Sequence, residues 1–169
     1  SDHLARQPEL DDRDVAWTLA GRASFEHRSV VLGADRDRLL AGLAELAGGE
    51  PGAGVVTGSA TPAGKVAFVF PGQGSQWLGM GIDLMDSSPV FAARMTECAE
   101  ALSEFVDWSL IDVLRGTPQA PGLDRVDVVQ PALFAVQYAL AKLIESYGVR
   151  PAAMAGHSIG EYAAATIAG

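Results

Sequence analysis

The sequence predicts an α/β fold, a parallel sheet with crossover helices, preceded by a small α+β unit. Three observations carry this. Lys65-Val66-Ala67-Phe68-Val69-Phe70 is an unbroken apolar run closed by Pro71-Gly72, and a second short run, Ala152-Ala153-Met154-Ala155, leads into Gly156. Unbroken apolar strands suit the buried parallel sheet of an α/β domain, where alternating ones suit a half-exposed sheet. Between the two runs lie helical patterns around 89–105 and 131–147; strands alternating with helices imply parallel pairing through crossovers.

The elements follow in order. Asp14–Ala20 reads as a helix that begins at an acidic N-cap and stops at Gly21, and His27–Leu32 as a strand closed by Gly33. From Asp35 to Ala47 the leucines at 39, 40, 43 and 46 fall at helical spacing, with Gly48-Gly49 as the stop. This helix-strand-helix unit has no convergent polar cluster, so its expected role is a spacer or packing module. Residues 48–64, rich in Gly, Pro and small side chains, read as a surface linker with room for one short strand at Val55-Val56. The division drawn is 1–62 for the leading unit and 63–169 for the α/β part. A loop with two prolines and two glycines, Arg115–Arg125, separates the two later helices.

Composition excludes several classes. Twelve basic residues against 21 acidic ones give a net charge of −9, which argues against nucleic-acid binding, since that needs clustered Lys and Arg. No apolar run approaches the ~20 residues that span a bilayer. Ser1–Leu10 lacks the basic and apolar regions of a signal peptide, and a cytoplasmic location is expected, with no membrane partner. The one cysteine, Cys98, sits in a helical stretch, forms no internal disulfide and has no neighbour with which to share a metal. Trp17, Trp77 and Trp108 are expected to anchor packing. Arg94 and Arg115 are expected to face solvent, the acidic residues at 9, 11, 12 and 14 to form a solvated, frayed start, and His3 to lie in disordered chain.

Gly156-His157-Ser158-Ile159-Gly160 matches G-x-S-x-G. A serine on a sharp strand-to-helix turn sits in strained backbone, and small residues two before and two after let the chain pack that tightly. Such a turn exposes the hydroxyl above a helix N-terminus, and the N–H of the following residue, here Ile159, points where an oxyanion would form. The same three fixed positions also occur in plain tight turns; the preceding apolar strand and the following helix, Glu161–Thr166, favour a nucleophile. A serine needs a base, and all three histidines, His3, His27 and His157, come before or next to Ser158. In the hydrolase-type order the histidine follows the serine. His157 is adjacent, but neighbours on an elbow diverge, which makes it a turn-packing or hydrogen-bonding residue; His27, beside a strand, is read as a surface or interface residue.

Phe70-Pro71-Gly72-Gln73-Gly74-Ser75-Gln76 follows the first apolar strand. Two glycines around Gln73 permit a turn whose amides face the carboxyl edge of the sheet, where α/β ligands bind. The Gln73 N–H is a candidate second oxyanion donor; an ordinary loop is an equal reading of these residues. The glycine spacing and the missing lysine exclude a phosphate loop.

Together, FPGQGSQ at 70–76, QPALFA at 130–135 and GHSIGE at 156–161 resemble the malonyl-CoA:acyl-carrier-protein acyltransferase family of fatty-acid and polyketide synthases. DVAWTLAGRASFEHRSVVLG at 14–33 is similar to the ketosynthase-to-acyltransferase linker of a modular type I polyketide synthase, so the resemblance covers nearly the whole chain. It implies an incomplete α/β-hydrolase-like large subdomain. It matches Ser158 to the acylated serine, Gln73 and Ile159 to the backbone oxyanion donors, and His157 and Gln130 to substrate-side positions. It further implies ping-pong transfer from an extender-unit acyl-CoA to the phosphopantetheine thiol of an acyl carrier protein, with no permanently bound cofactor or metal. The ketosynthase domain of the same module is the other implied partner. The family's catalytic histidine and carboxylate-binding arginine lie downstream of the serine, and on that basis this chain alone is expected to be inactive. Substrate signals conflict: Arg125–Gln130 resembles the stretch of methylmalonyl-loading domains, while Ile159 resembles the malonyl-loading type, and the longer motif tips the expectation to methylmalonyl. The rival expectations are a serine hydrolase of related fold and a non-catalytic docking piece.

Overall fold

The computed structural model describes residues 2–60 and 64–169, and the chain divides into two compact units after Gly64. The boundary expected between residues 62 and 63 lies outside the described residues.

The first unit contains α1 (Asp2–Arg6), α2 (Asp12–Ala20), β1 (His27–Val31), α3 (Arg36–Gly48) and β2 (Val55–Ser59). The α2 helix begins two residues before the expected start because Asp11, not Asp14, is the N-cap: its carboxylate accepts from the Arg13 amide at 2.7 Å. In α3, Asp35 caps by accepting from the Arg38 amide, and Gly49 ends the helix at φ 80, a left-handed position that glycine adopts without strain. The valines at 55 and 56 do open a strand, which pairs antiparallel with β1 from His27 opposite Ser59 to Val31 opposite Val55. Gly42 brings α3 close to this hairpin, since a Cβ there would lie 2.6 Å from Val31 Cγ1. His3 lies in α1 rather than in disordered chain. The acidic start is anchored, not frayed. Arg36 donates to the carbonyls of Leu4, Gln7 and Leu10 at 2.9 Å each and to Asp12 Oδ1 at 2.6 Å, stapling the leading segment down.

The second unit runs β3 (Ala67–Phe70), α4 (Ile82–Ser87), α5 (Pro89–Ser103), α6 (Leu110–Arg115), α7 (Val126–Ser146), β4 (Ala153–Gly156) and α8 (Ile159–Ala168). β3 and β4 pair in parallel, Ala67 opposite Ala153 through Phe70 opposite Gly156, with the helices as the crossover. The α7 helix starts five residues earlier than expected. Pro131 stands inside the helix, where its fixed φ is tolerated at the loss of one backbone hydrogen bond. The apolar seam Val128, Val129, Ala132, Leu133, Ala135, Ala139 and Leu143 holds that early turn down by burial. From Val129 onward it packs with Phe91 and Met95 of α5 and Leu110 and Leu114 of α6 in the main core. A second cluster joins Phe70, Ala141, Ala163, Ala164 and Ile167 between sheet and helices.

Sheet burial departs from expectation. Phe68, Phe70 and Met154 face the second cluster, while the other face, Ala67, Val69, Ala153 and Ala155, is exposed, because α7 and α8 both lie on the first face. Trp17 and Trp77 are exposed rather than packing anchors, and only Trp108 packs against the core. Arg94 and Arg115 are at the surface, paired with Glu97 and Asp86. No helix among the described residues is long and apolar enough to cross a membrane.

Candidate active site

The two parallel strands end side by side, and both loops of interest leave from that edge. Phe70 and Gly156 are register partners. Gln73 lies three residues beyond the first and Ile159 three beyond the second, so both amides emerge at the carboxyl edge of the sheet, where α/β folds bind ligands.

The elbow itself is tight. Ser158 has φ 55 and ψ −123, and among the described residues it is the one non-glycine with positive φ. Such a conformation costs about 1–3 kcal/mol and persists only where its surroundings impose it. Here they do. His157 donates its amide to the Phe70 carbonyl at 3.1 Å, and the Gly160 and Glu161 amides donate to the His157 and Ser158 carbonyls at 3.0 and 2.9 Å. A Cβ on Gly156 would collide with the Gly160 carbonyl and the Glu161 amide; one on Gly160 would collide with the Phe70 carbonyl and lie 2.8 Å from that of Pro71. Both glycines of the motif are therefore required by backbone contact. Ser158 is exposed at the start of α8. Ile159 is the first residue of α8, and a first-turn amide has no intrahelical acceptor.

The facing loop is braced internally. Gly74, at φ 121, gives its amide to Gln76 Oε1 at 2.7 Å, and Ser75 Oγ donates to the Gly72 carbonyl at 3.4 Å. Among the described residues no hydrogen bond uses the Gln73 amide. Gly72 meets the elbow directly: a Cβ there would lie 2.7 Å from His157 Nδ1 and 3.1 Å from the His157 carbonyl. The imidazole of His157 thus leans on the Gly72 backbone, and among the described residues Ser158 Oγ has no hydrogen-bonded base.

The structure brings Gln73, His157, Ser158 and Ile159 to one edge. It does not bring Gln130 there in the same way. Gln130 is half-buried on α7; its neighbours Val128 and Val129 are core residues, and Arg125 pairs with Asp127 at the surface. Seven residues further along lies a glutamine that sequence reasoning missed. Gln137 is 8% exposed and donates Nε2 to the Pro71 carbonyl at 2.9 Å. Two helical turns separate the two glutamines, so they share a face of α7 roughly 10 Å apart along its axis. A polar residue inside the apolar α7 seam was the available signal, because buried amides need a hydrogen-bond partner.

These features define an α/β protein that presents a serine on a strand-to-helix elbow at the edge of a parallel sheet. Residues 67–169 match the model of the acyl transferase domain. The chain is 68% identical over 160 residues to mycoketide-CoA synthase of Mycobacterium tuberculosis (strain ATCC 25618 / H37Rv), covering 95% of this chain and 4% of that protein. Among solved structures it is similar to the acyltransferase domain from module 8 of the salinomycin polyketide synthase, at TM-score 0.87 and 53% identity over 99% of this chain and 42% of that one. It is also similar to the malonyl CoA-acyl carrier protein transacylase from Coxiella burnetii, at TM-score 0.57 and 38% identity over 66% of this chain and 34% of that one. The chain belongs to the acyl transferase domain family, in the form found in modular polyketide synthases.

Proposed function

We propose that this chain supplies the nucleophile and oxyanion half of an acyltransferase that moves a malonyl-type extender unit, malonyl or methylmalonyl, from CoA to an acyl carrier protein during polyketide assembly. The observation that carries this reading is the strained, exposed Ser158 at the head of α8, held beside the Gly72-Gln73 turn. Ser158 Oγ attacks the thioester carbonyl as its proton passes to a base, and the tetrahedral oxyanion forms between the Gln73 and Ile159 amides. The C–S bond breaks and CoA leaves as the thiol. The phosphopantetheine thiol of the carrier then attacks acyl-Ser158 and restores the hydroxyl. Among the described residues no base is hydrogen-bonded to Ser158; in the family resembled, the base and the carboxylate-binding arginine come downstream of the serine. His157 and Gln130 would lie on the substrate side, the carrier and the module's ketosynthase would be the protein partners, and the cytoplasm the setting.

A serine hydrolase would use the same elbow, and the exposure of Ser158 admits water as well as a thiol. Intact-protein mass spectrometry of the full-length polypeptide, with malonyl-CoA and methylmalonyl-CoA in parallel and Ser158→Ala as control, decides among these. The expected result is an adduct that disappears in the variant and is discharged faster by carrier protein than by buffer, with the CoA ester that gives the greater adduct yield naming the extender. Discharge by water alone supports the hydrolase, and no adduct on the folded protein rejects both.

A further inference from the structure

Gln137 lies outside the motifs that carry the proposed chemistry, yet it touches the loop that carries one of the donors. Its side chain is almost wholly buried, in a helix otherwise lined by apolar residues. Pro71 has no N–H and its carbonyl can only accept, so the amide nitrogen of Gln137 must face it, at 2.9 Å. That leaves Gln137 Oε1 buried with no partner among the described residues. An unpaired buried carbonyl destabilises the fold, so as a core-filling side chain glutamine is a poor choice here. The same Pro71 carbonyl stands against Gly160 of the elbow, and the next residue, Gly72, stands against His157. One peptide is thus gripped from below by α7 and from the side by the elbow, two residues before Gln73.

We propose that Gln137 is a positioning residue: through its bond to the Pro71 carbonyl it fixes the turn that aims the Gln73 amide beside that of Ile159. This rests on the acyl-transfer reading for its kinetic consequence, though not for the mechanical one. A preorganised donor is effective only when its direction is set before charge develops. A displacement of about 1 Å in such a group costs up to about a hundredfold in rate.

The test is Gln137→Met in the full-length polypeptide, since methionine keeps the volume and removes both the donor and the orphaned carbonyl. A space-filling role predicts a variant as active as wild type. The positioning role predicts a variant that melts no lower than wild type while its single-turnover acylation from malonyl-CoA or methylmalonyl-CoA slows by about ten- to a hundredfold, with KM unchanged. It also predicts faster hydrogen–deuterium exchange across residues 72–74 in the variant. Wild-type acylation rates, a loss confined to KM, or unchanged exchange in that loop each overturn the proposal. A wild-type protein that takes up no acyl group rejects the functional reading by itself, and the exchange comparison then still decides whether Gln137 holds the loop.

Discussion

The glycine at position 160 shows how little freedom the elbow has. Its α-carbon faces the Phe70 carbonyl at the end of β3 and the Pro71 carbonyl just past it, with no room for a methyl group, so Gly160→Ala must push the elbow off the strand. Overpacking of this kind costs about 1–3 kcal/mol; here it also rotates the Ile159 amide, so acylation of Ser158 should fall by more than tenfold, read by the mass-spectrometric adduct assay. Cys98 makes a different residue-scale point. Burial, and then the neighbouring Glu97, push its thiol from 9.0 up to about 11. The fold therefore favours the protonated thiol: its stabilising share is full below pH 9 and is lost as pH rises through about 11. Denaturation midpoints should fall over that window more steeply in wild type than in Cys98→Ala. At pH 8 alkylation of Cys98 should be about a hundredfold slower than that of an unburied cysteine, because the thiolate is the reactive form.

At the scale of elements, Arg36 is the clearest case of one side chain holding others. The five residues of α1 are too few to form a helix on their own, and the Arg36 fork ties the carbonyls of that segment to α3. Lysine carries the charge without the fork. Arg36→Lys should speed amide exchange across residues 2–12 by at least tenfold and leave α7 unchanged. The anchoring shows why this segment was misread in sequence: a lone arginine 24 residues from its acidic partner gives no local signal, whereas the leucine spacing of α3 and its glycine stop are local and legible. The short helices α4 and α6 escaped because six residues carry too little periodicity; α4 only half-buries Ile82, Leu84 and Met85 against the main core, and α6 buries Leu110, Val113 and Leu114. The elbow was readable because its requirements, two glycines and a serine between strand and helix, are all within five residues. Gln137 was not, because its partner is 66 positions away.

Over the whole molecule the two units differ in how much they bury. In residues 2–60 the buried positions are Gly42 and Val55, while the second unit has a contiguous core around Phe91, Met95, Leu114 and Val129. Local stability follows buried contact, so native-state exchange should be slowest in α7 and faster throughout the β1–β2 hairpin. Equal protection in both would show that the first unit gains stability from something other than its own core. The α/β class was legible because the two strand runs and the long helices are strong patterns, but the pattern alone placed both faces of the sheet inside. The exposed Ala67, Val69, Ala153 and Ala155 show that an unbroken apolar strand marks a surface suited to cover, whether or not the described residues supply it.

The backbone at Ser158 has a further consequence for selection experiments. Its φ of 55 with ψ of −123 is a glycine conformation occupied by a residue with a side chain. Ser158→Gly should therefore melt higher than Ser158→Ala, by a margin of about 1 kcal/mol in stability, while both lose the hydroxyl. A randomised library at this position, sorted by heat alone, would converge on glycine; sorted by acyl loading, it would return serine. The letter that survives would report which of the two pressures the library had felt.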